Sequence, residues 1–200
     1  MNSPFSELVS SGGGGRGPQR RFGPFHYYKA LYIISTSGRT GRKRVSEELG
    51  IGEGSTRTLL NDLESLSLIV RNNAGMVITA DGIAALRSMR INLLCLDAGI
   101  FGLPGHCCLS LVRGGGSKLS DGIAQRDASV KAGGEGAVSM RYVRGRLLLP
   151  PDMREFGAPI SLTKTLEELG AADGDAVIVA FAHSRILSEQ AAFQAAMTLL

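Results

Sequence analysis

The first half of the chain contains two consecutive segments whose hydrophobic residues repeat with helical spacing. In the second segment, STRTLLNDLESLSLI, four leucines recur at three- and four-residue steps and form one apolar face: Leu59, Leu60, Leu63 and Leu66. The preceding segment, RTGRKRVSEELGIGEG, combines a basic run, a short amphipathic pattern and glycines typical of a turn. The pattern therefore predicts two helices joined by a short turn.

A polar stretch between two apolar runs follows the second predicted helix. Residues 68–70 lead into it and residues 76–78 lead out, while Asn72, Asn73 and Gly75 tolerate the positive φ of a tight turn. We therefore expect a β-hairpin, and after it a further helix. Helix, turn, helix and hairpin in this order predict a winged helix-turn-helix, whose usual partner is double-stranded DNA.

Short polar and basic side chains occupy the outer faces of the predicted helix pair and hairpin. We expect Ser55 to cap the second helix, because its hydroxyl can accept from a free amide of the first turn. Arginine can pair with guanine and asparagine with adenine, and a basic run suits a passing phosphate strand. The predicted DNA-binding residues are Arg39, Arg42, Lys43, Arg44, Ser55, Arg57, Thr58, Asn61, Arg71, Asn72 and Asn73.

Acidic residues on the same predicted face leave a second interpretation open. Glu53, Asp62 and Glu64 would repel phosphate, and winged helices also serve as protein-docking modules. The alternative is a ligand- or nucleotide-binding protein whose winged helix docks a protein partner instead of DNA. Salt-dependent binding to DNA distinguishes the two hypotheses.

The second half of the chain predicts a different architecture. Strand patterns at residues 107–112, 137–142, 146–149 and 176–182 alternate with helix patterns, and a last helix pattern covers residues 184–200. The order β-α-β-β-α-β is that of a ferredoxin-like sandwich, with two helices on one face of an antiparallel sheet. The predicted fold class is therefore α+β, a winged helix-turn-helix followed by a ferredoxin-like domain with an extra C-terminal helix.

Composition and charge support a division of the chain into four segments. They are a flexible basic arm at residues 1–21, the winged helix at 22–90, a glycine-rich connector at 91–106 and the ferredoxin-like domain at 107–200. Residues 1–90 carry 12 Lys and Arg against 7 Asp and Glu, a net of +5, whereas residues 91–200 carry 10 against 11, a net of −1. The positive charge is thus concentrated on the predicted DNA-binding part.

A glycine-rich loop in the second half is the candidate site for a small anionic effector. It lies between a predicted strand and a predicted helix, where free backbone amides favour negative charge. The spacing is not that of a phosphate-binding P-loop, so the ligand assignment rests on the glycines alone. The residues are Arg113, Gly114, Gly115, Gly116, Ser117 and Lys118.

Cysteine and histidine usage argues against a metal site, a cofactor or an enzyme. The three cysteines are Cys95, Cys107 and Cys108, and their spacing matches no common zinc pattern. The histidines are scattered, and no catalytic triad or carboxylate pair is visible. No run of about 18 apolar residues and no signal-peptide core is present, so we expect a cytoplasmic protein with no membrane partner.

Two long stretches resemble a known family. They are FGPFHYYKALYIISTSGRTGRKRVSEELGIGEGSTRTLLNDLESLSLI and DGIAQRDASVKAGGEGAVSMRYVRGRLLLPP. Together they resemble an archaeal two-domain family of unknown function, which implies a transcription regulator and supplies no ligand or catalytic residues. The layout is also similar to that of Lrp/AsnC-type regulators, although no local motif matches them.

The sequence thus predicts a transcription regulator whose winged helix reads the major groove. Its C-terminal domain is expected to dimerise and to sense a small effector. The apolar residues of the last predicted helix cover more than one face, which suggests a homodimer that uses this helix or the sheet face.

Overall fold

The computed structural model describes residues 22–72 and 75–200, and it divides into two compact units between Met89 and Arg90. Helices dominate the first unit, and the second is built on an antiparallel sheet, so the chain is α+β. The arm predicted at residues 1–21 and the predicted contact residue Asn73 lie outside the described residues.

The N-terminal unit contains four helices and one hairpin among its described residues. They are α1 (Pro24–Ser37), α2 (Arg42–Leu49), α3 (Glu53–Ser65), β1 (Ile69–Asn72), β2 (Gly75–Ile78) and α4 (Ala80–Ser88). Leu59, Leu60 and Leu63 of α3 are buried as the leucine spacing predicts, and Leu66 is half-buried just beyond the helix end. The helical part of the predicted pattern is therefore confirmed.

Local sequence sets the ends of these helices. Gly50 ends α2 in the left-handed conformation, with φ 65°, which glycine adopts without strain. Gly52 precedes α3, so Ser55 lies inside the helix and the expectation that it caps α3 is wrong. Thr79 caps α4 by accepting a hydrogen bond from the amide of Gly82 at 3.0 Å.

The predicted hairpin is present as a two-stranded antiparallel sheet. Its register pairs Ile69 with Ile78 and Asn72 with Gly75. Thr40, which precedes α2, adds a single bridge to Met76, with N–H···O distances of 3.3 and 3.0 Å in the two directions. The segment before α2 is thereby tied to the hairpin.

The C-terminal unit contains six strands and three α-helices. They are β3 (Ile91–Asp97), β4 (His106–Val112), α5 (Ile123–Lys131), β5 (Gly136–Val143), β6 (Arg146–Leu149), β7 (Arg154–Glu155), α6 (Ile160–Glu168), β8 (Ala176–Ala182) and α7 (Arg185–Met197). The strands form one sheet in the order β3-β4-β8-β5-β6-β7, with antiparallel neighbours throughout. The nearly all-apolar β8 lies in the interior of this sheet, as predicted.

The expected connector at residues 91–106 is wrong in its first half. Residues 91–97 form β3, which pairs with β4 along its whole length from Ile91 opposite Val112 to Asp97 opposite His106. The chain-breaking glycines and proline that suggested a connector are confined to residues 99–105. The leucine-rich run before them is therefore free to pair with β4 as an edge strand.

The order of elements from β4 to β8 is as predicted, apart from β7, but their arrangement is not that of a ferredoxin-like sandwich. Helix α5 lies beside α7 on the sheet face that carries Cys108 and Ala180. Helix α6 packs Leu162 and Leu166 on the opposite face, against Leu109 and other strand residues. The two helices expected on one face are thus on different faces.

The short strand β7 explains why α6 can lie on the other face. It pairs antiparallel with β6, so the chain has reversed direction before α6 begins. The connection from β7 through α6 to β8 therefore joins two antiparallel strands. The rule that connections between parallel strands are right-handed does not apply to it, so α6 can lie on either face of the sheet. Nothing in the alternation of apolar residues signals a strand as short as two residues.

The last helix, α7, is more enclosed than its sequence suggests. Ala191, Phe193, Ala195 and Ala196 are all buried within the C-terminal unit. One side of the helix contacts the sheet, where the Ser110 hydroxyl donates to the carbonyl of Ala192 at 2.8 Å, and another contacts α5. Its broad apolar surface is therefore used inside the unit and gives no reason to expect a dimer through this helix.

Candidate nucleic-acid interface

Helices α2 and α3 are held in a fixed relation by the turn between them. Val45 and Leu49 of α2 and Thr56 of α3 are buried. The hydroxyl of Ser46 donates to the carbonyl of Ile51 at 2.7 Å, which ties α2 to the turn itself. The inner faces of both helices are therefore packed, and their outer faces are left exposed.

Three cations of this helix pair carry no internal counter-charge. Arg39, Lys43 and Arg57 are exposed, and none of them forms an ion pair within residues 22–72 and 75–200. Arg39 and Lys43 flank the start of α2, and Arg57 lies in the first half of α3 beside the exposed Thr58. These cations remain available to phosphate or base edges.

Two further predicted contact residues are engaged in exposed ion pairs. Arg42 pairs with Glu53 at 3.5 Å, across the turn from α2 to α3. Arg44 pairs with Glu48 one helical turn further on, at 2.9 Å. Exposed pairs of this kind contribute only about 0–1 kcal/mol, so these arginines can exchange partners at little cost.

The hairpin arginine does not extend outwards as predicted. The Nη2 of Arg71 donates to the Asn61 side-chain oxygen at 2.9 Å, and its Nε lies 3.3 Å from a Glu64 carboxylate oxygen. Arg71 thus fastens β1 to α3, and it occupies the amide oxygen that Asn61 would use beside an adenine. The exposed Asn72 follows it at the end of β1, opposite Gly75.

Asp62 is also engaged within the unit. Its carboxylate accepts a hydrogen bond of 2.6 Å from the hydroxyl of the buried Tyr27 in α1. The three acidic residues predicted on the outer face of α3 thus have partners within the unit. Glu53 forms an ion pair with Arg42 and Glu64 with Arg71, and Asp62 accepts the hydrogen bond from Tyr27. The outer face of α3 is less acidic than its composition indicates.

The glycine-rich loop of the C-terminal unit already holds an anion, the side chain of Asp175. One carboxylate oxygen of this nearly buried residue accepts from the Gly114 amide at 2.8 Å. The other accepts from the Ala172 amide at 3.0 Å and from Arg113 Nη1 at 2.9 Å. The backbone amide and the arginine predicted for an effector are thus occupied by the chain itself.

The remaining groups of this loop have structural roles as well. Arg113 also donates to the carbonyls of Leu169 and Gly170 at the end of α6. Gly116 is buried and packs so closely that a Cβ there would lie 2.7 Å from the Gly174 carbonyl oxygen. Lys118 donates to the carbonyl of Leu200, and the Ser117 hydroxyl to that of Gly114 at 3.4 Å. The loop predicted as a ligand site is therefore an internal polar junction, in which Arg113 and the Gly114 amide bind Asp175.

A shallow cleft lies at the start of α5, between Asp121, Arg126, Ser139 and Pro150. The Asp121 carboxylate accepts from the Ile123 amide at 3.0 Å, so the first turn of this helix is capped from within. Within the described residues, no group of three or more His, Cys, Asp or Glu side chains is arranged to hold a metal ion. No helix of the described part is both long and apolar enough to span a membrane.

Sequence reasoning missed the residues that complete these internal contacts. Asp175 directly precedes the wholly apolar β8, and an acidic residue at that position was the available signal for a buried partner. Tyr27 carries no local motif, because its partner Asp62 lies 35 residues away in the chain. Contacts at such separations depend on the tertiary fold.

Comparisons with known proteins match each unit separately. Residues 31–84 match a family model described as PH0730-like, N-terminal domain, and residues 104–199 match a domain of unknown function (DUF4443). Among solved structures, the chain is similar to the hypothetical protein PH0730 from Pyrococcus horikoshii OT3, with a TM-score of 0.65 and 24% identity over 88% of this chain and 91% of that chain. No curated protein matches the chain.

These matches give information on the fold and on sequence similarity only. The resemblance to archaeal proteins of unknown function, inferred from the sequence, is confirmed by them, and they offer nothing for Lrp/AsnC-type regulators. At 24% identity the structural likeness carries the fold and no activity. The chain is thus similar to two uncharacterised domain families, one in each of its units.

Proposed function

We propose that this protein is a DNA-binding transcription regulator whose N-terminal unit is a winged helix-turn-helix. In this proposal α2 and α3 are the helix pair, α3 is the recognition helix and β1-β2 is the wing. The bridge from Thr40 to Met76 supports it, because it ties the start of the helix pair to the wing. A wing fixed in this way keeps a constant position relative to α3.

The observation that carries the proposal is the unpaired positive charge on the helix pair. Arg39, Lys43 and Arg57 are exposed and form no ion pair within the described ranges, while Glu53, Glu64 and Asp62 of α3 each contact a partner in the same unit. Phosphate binding releases counterions from DNA and needs cations that are not already neutralised. In our proposal Lys43 and Arg39 contact phosphates, and Arg57 with Thr58 reads base edges.

The same contacts weaken the protein-docking alternative. It rested on the acidic residues Glu53, Asp62 and Glu64, and each of them accepts from a partner in its own unit. A separate ligand-binding role for the chain relied on the glycine-rich loop, and Asp175 occupies that loop. A small-molecule effector is therefore not part of the function that we propose.

Reading an operator by one recognition helix covers only a few base pairs, so the proposal includes a homodimer. Because α7 is enclosed, we assign the dimer contact to an edge of the C-terminal sheet, namely β3, which pairs with β4 on one side only. Light scattering at micromolar concentration should give twice the chain mass. A monomer mass with DNA binding intact would remove the dimer from the proposal.

The main test is a gel-shift titration of the full chain on fragments of genomic DNA at two salt concentrations. We expect binding that weakens steeply as salt rises. A triple variant with Arg39, Lys43 and Arg57 changed to Ala should bind at least tenfold more weakly.

The matched control removes the same charge from exposed positions of the other unit, by changing Arg126, Lys131 and Lys164 to Ala. This control should bind nearly as the wild type. Equal losses in both triple variants would mean that net charge alone drives binding. The absence of salt-dependent binding to any fragment would reject DNA as the partner.

A further inference from the structure

Two cysteines face each other directly across the first two strands of the C-terminal sheet. Cys95 of β3 is the register partner of Cys108 in β4, and both lie on the sheet face that α7 covers. Both thiols are free, Cys108 is buried and Cys95 is half-buried on an edge strand.

The hydrogen-bond pattern shows which kind of pair they form. The amide of Arg113 donates to the carbonyl of Arg90 at 2.9 Å, which makes residues 90 and 113 a hydrogen-bonded pair. Hydrogen-bonded and non-hydrogen-bonded pairs alternate along an antiparallel ladder, so Cys95 and Cys108, five positions further on, form a non-hydrogen-bonded pair. In such pairs the Cα atoms are about 4.5 Å apart, within the span that a disulfide bridges.

The first turns of α7 supply charged groups beside this pair. The thiol of Cys95 lies 3.0 Å from a carboxylate oxygen of Glu189, a buried residue. Arg185, at the first position of α7, pairs with the same oxygen at 3.2 Å. The Arg185 cation beside the thiol favours its ionised, reactive form, whereas the Glu189 carboxylate opposes ionisation.

Within the pair the two thiols are unequal. The hydrogen bond from Cys108, together with Arg185, lowers the pKa of Cys95 against the opposing effects of burial and of Glu189. The same hydrogen bond and deep burial raise the pKa of Cys108. Cys95, which is half-buried and lies beside Arg185, is therefore the thiol that ionises first, and its buried register partner Cys108 is placed to react with it afterwards.

We propose that Cys95 and Cys108 form a peroxide-reactive dithiol, in which Cys95 is the attacking residue and Cys108 the resolving one. The product is a cross-strand disulfide between β3 and β4. A cellular thiol reductant restores the pair by thiol–disulfide exchange.

The reaction proceeds in two balanced steps. The Cys95 thiolate attacks one oxygen of a hydroperoxide, the O–O bond breaks, and the leaving oxygen takes up the former thiol proton, so that sulfenic acid and an alcohol or water form. The peroxide gains the two electrons that the sulfur loses. The Cys108 sulfur then attacks the Cys95 sulfur, an S–S bond replaces the S–O bond, and the hydroxyl leaves with the Cys108 proton as water.

Cys107 differs from the other two cysteines in its position and in its pKa. It neighbours Cys108 in sequence, but alternation along β4 places it on the opposite sheet face, in the core beneath α6. Burial raises its pKa to about 11, so it is almost fully protonated at neutral pH. It should take no part in the reaction.

The test treats the reduced full chain with hydrogen peroxide, alkylates the remaining thiols and analyses tryptic peptides by mass spectrometry. Residues 91–113 form one tryptic peptide that holds all three cysteines. We expect this peptide to lose the mass of two hydrogens, to keep one alkylated thiol, and to show the same loss in Cys107→Ser. In Cys108→Ser, a sulfenic-acid probe should label Cys95, and Cys95→Ser should show neither product.

Several outcomes would overturn the proposal. They are a disulfide of unchanged yield in folded Cys108→Ser, a disulfide between two chains, and an unchanged peptide in the wild type. Circular dichroism confirms that each variant is folded. Arg185→Ala gives a second measurement, because it leaves all three thiols in place: peroxide should react about two- to fivefold more slowly if the exposed cation assists Cys95.

Discussion

Two groups of basic residues, one in each unit, differ in what their charges contact. In the N-terminal unit Arg39, Lys43 and Arg57 are exposed and form no ion pair among the described residues. In the C-terminal unit Arg113 is bound to Asp175 and to two backbone carbonyls. A basic cluster in a sequence thus has two structural outcomes, an outward binding surface or an internal junction, and the partners of each cation decide between them.

The largest effect should come from breaking the internal junction. Asp175→Asn removes the charge that pairs with Arg113 while conserving the side-chain size. We expect the C-terminal unit to lose about 2–4 kcal/mol of unfolding free energy, because Arg113 loses its counter-charge and only one side-chain oxygen remains to accept from the three donors around it. Urea denaturation of the full chain measures this loss.

Asp127→Asn is the control for this prediction, since Asp127 is an exposed acidic residue of α5. It should change the unfolding free energy by less than about 0.5 kcal/mol. Equal stability of the two variants would show that the Arg113–Asp175 contact is as weak as a surface pair, and the contrast between the units would fail.

The glycine-rich loop shows how far sequence reasoning reaches. Local patterns were sufficient for α2, α3, the hairpin and β8, because their leucine spacing, turn residues and apolar runs are set within about ten residues. The strand β3 was hidden by glycines that begin only after it, at Gly99. The anion of the loop was hidden because Asp175 lies 61 residues from Gly114.

Only part of the candidate interface could be predicted from the sequence. The sequence located the basic residues, and their exposure agrees with an outward role. It could not show that Arg71 would turn back to Asn61 and Glu64, or that Tyr27 would take up Asp62. These contacts depend on how α1, α3 and β1 pack, and packing is set by the whole unit.

The second prediction concerns Arg57, on the outer side of the proposed recognition helix. Arg57→Ala should weaken binding to a selected DNA site by about 1–3 kcal/mol and should weaken binding to unrelated DNA much less. Competition titrations with both DNAs measure the two losses. Arg87→Ala, an exposed arginine at the end of α4, is the control. A loss that is equal on all sequences would make Arg57 a phosphate contact.

The third prediction compares two pairs of cations on the same helix pair. Changing Arg39 and Lys43 to Ala should flatten the dependence of log affinity on log salt by about two units, because both would contact phosphate. Changing Arg42 and Arg44 removes the same charge, yet their ion pairs with Glu53 and Glu48 predict a change below about one unit. Equal slopes in the two variants would show that the ion pairs do not matter for binding.

The smallest effect tests whether the N-terminal unit also depends on an internal polar contact. The Nδ1 of His26 accepts from the Gly23 amide at 3.1 Å at the start of α1. Burial, and then the charge of Lys29, lowers the pKa of His26 below its ordinary value of 6.5. The unfolded chain therefore binds a proton more readily than the folded one, so acidification below about pH 6.5 should destabilise this unit progressively.

His26→Gln removes the titrating ring, and its amide oxygen can still accept from Gly23 at the third helical position. The variant should show a smaller loss of stability between about pH 7 and pH 5 than the wild type. Near-UV circular dichroism is a suitable probe, because the chain has no tryptophan and three of its four tyrosines, Tyr27, Tyr28 and Tyr32, lie in α1. Identical pH profiles would show that His26 binds protons equally in both states, and its hydrogen bond to Gly23 would then contribute no pH-dependent stability to this unit.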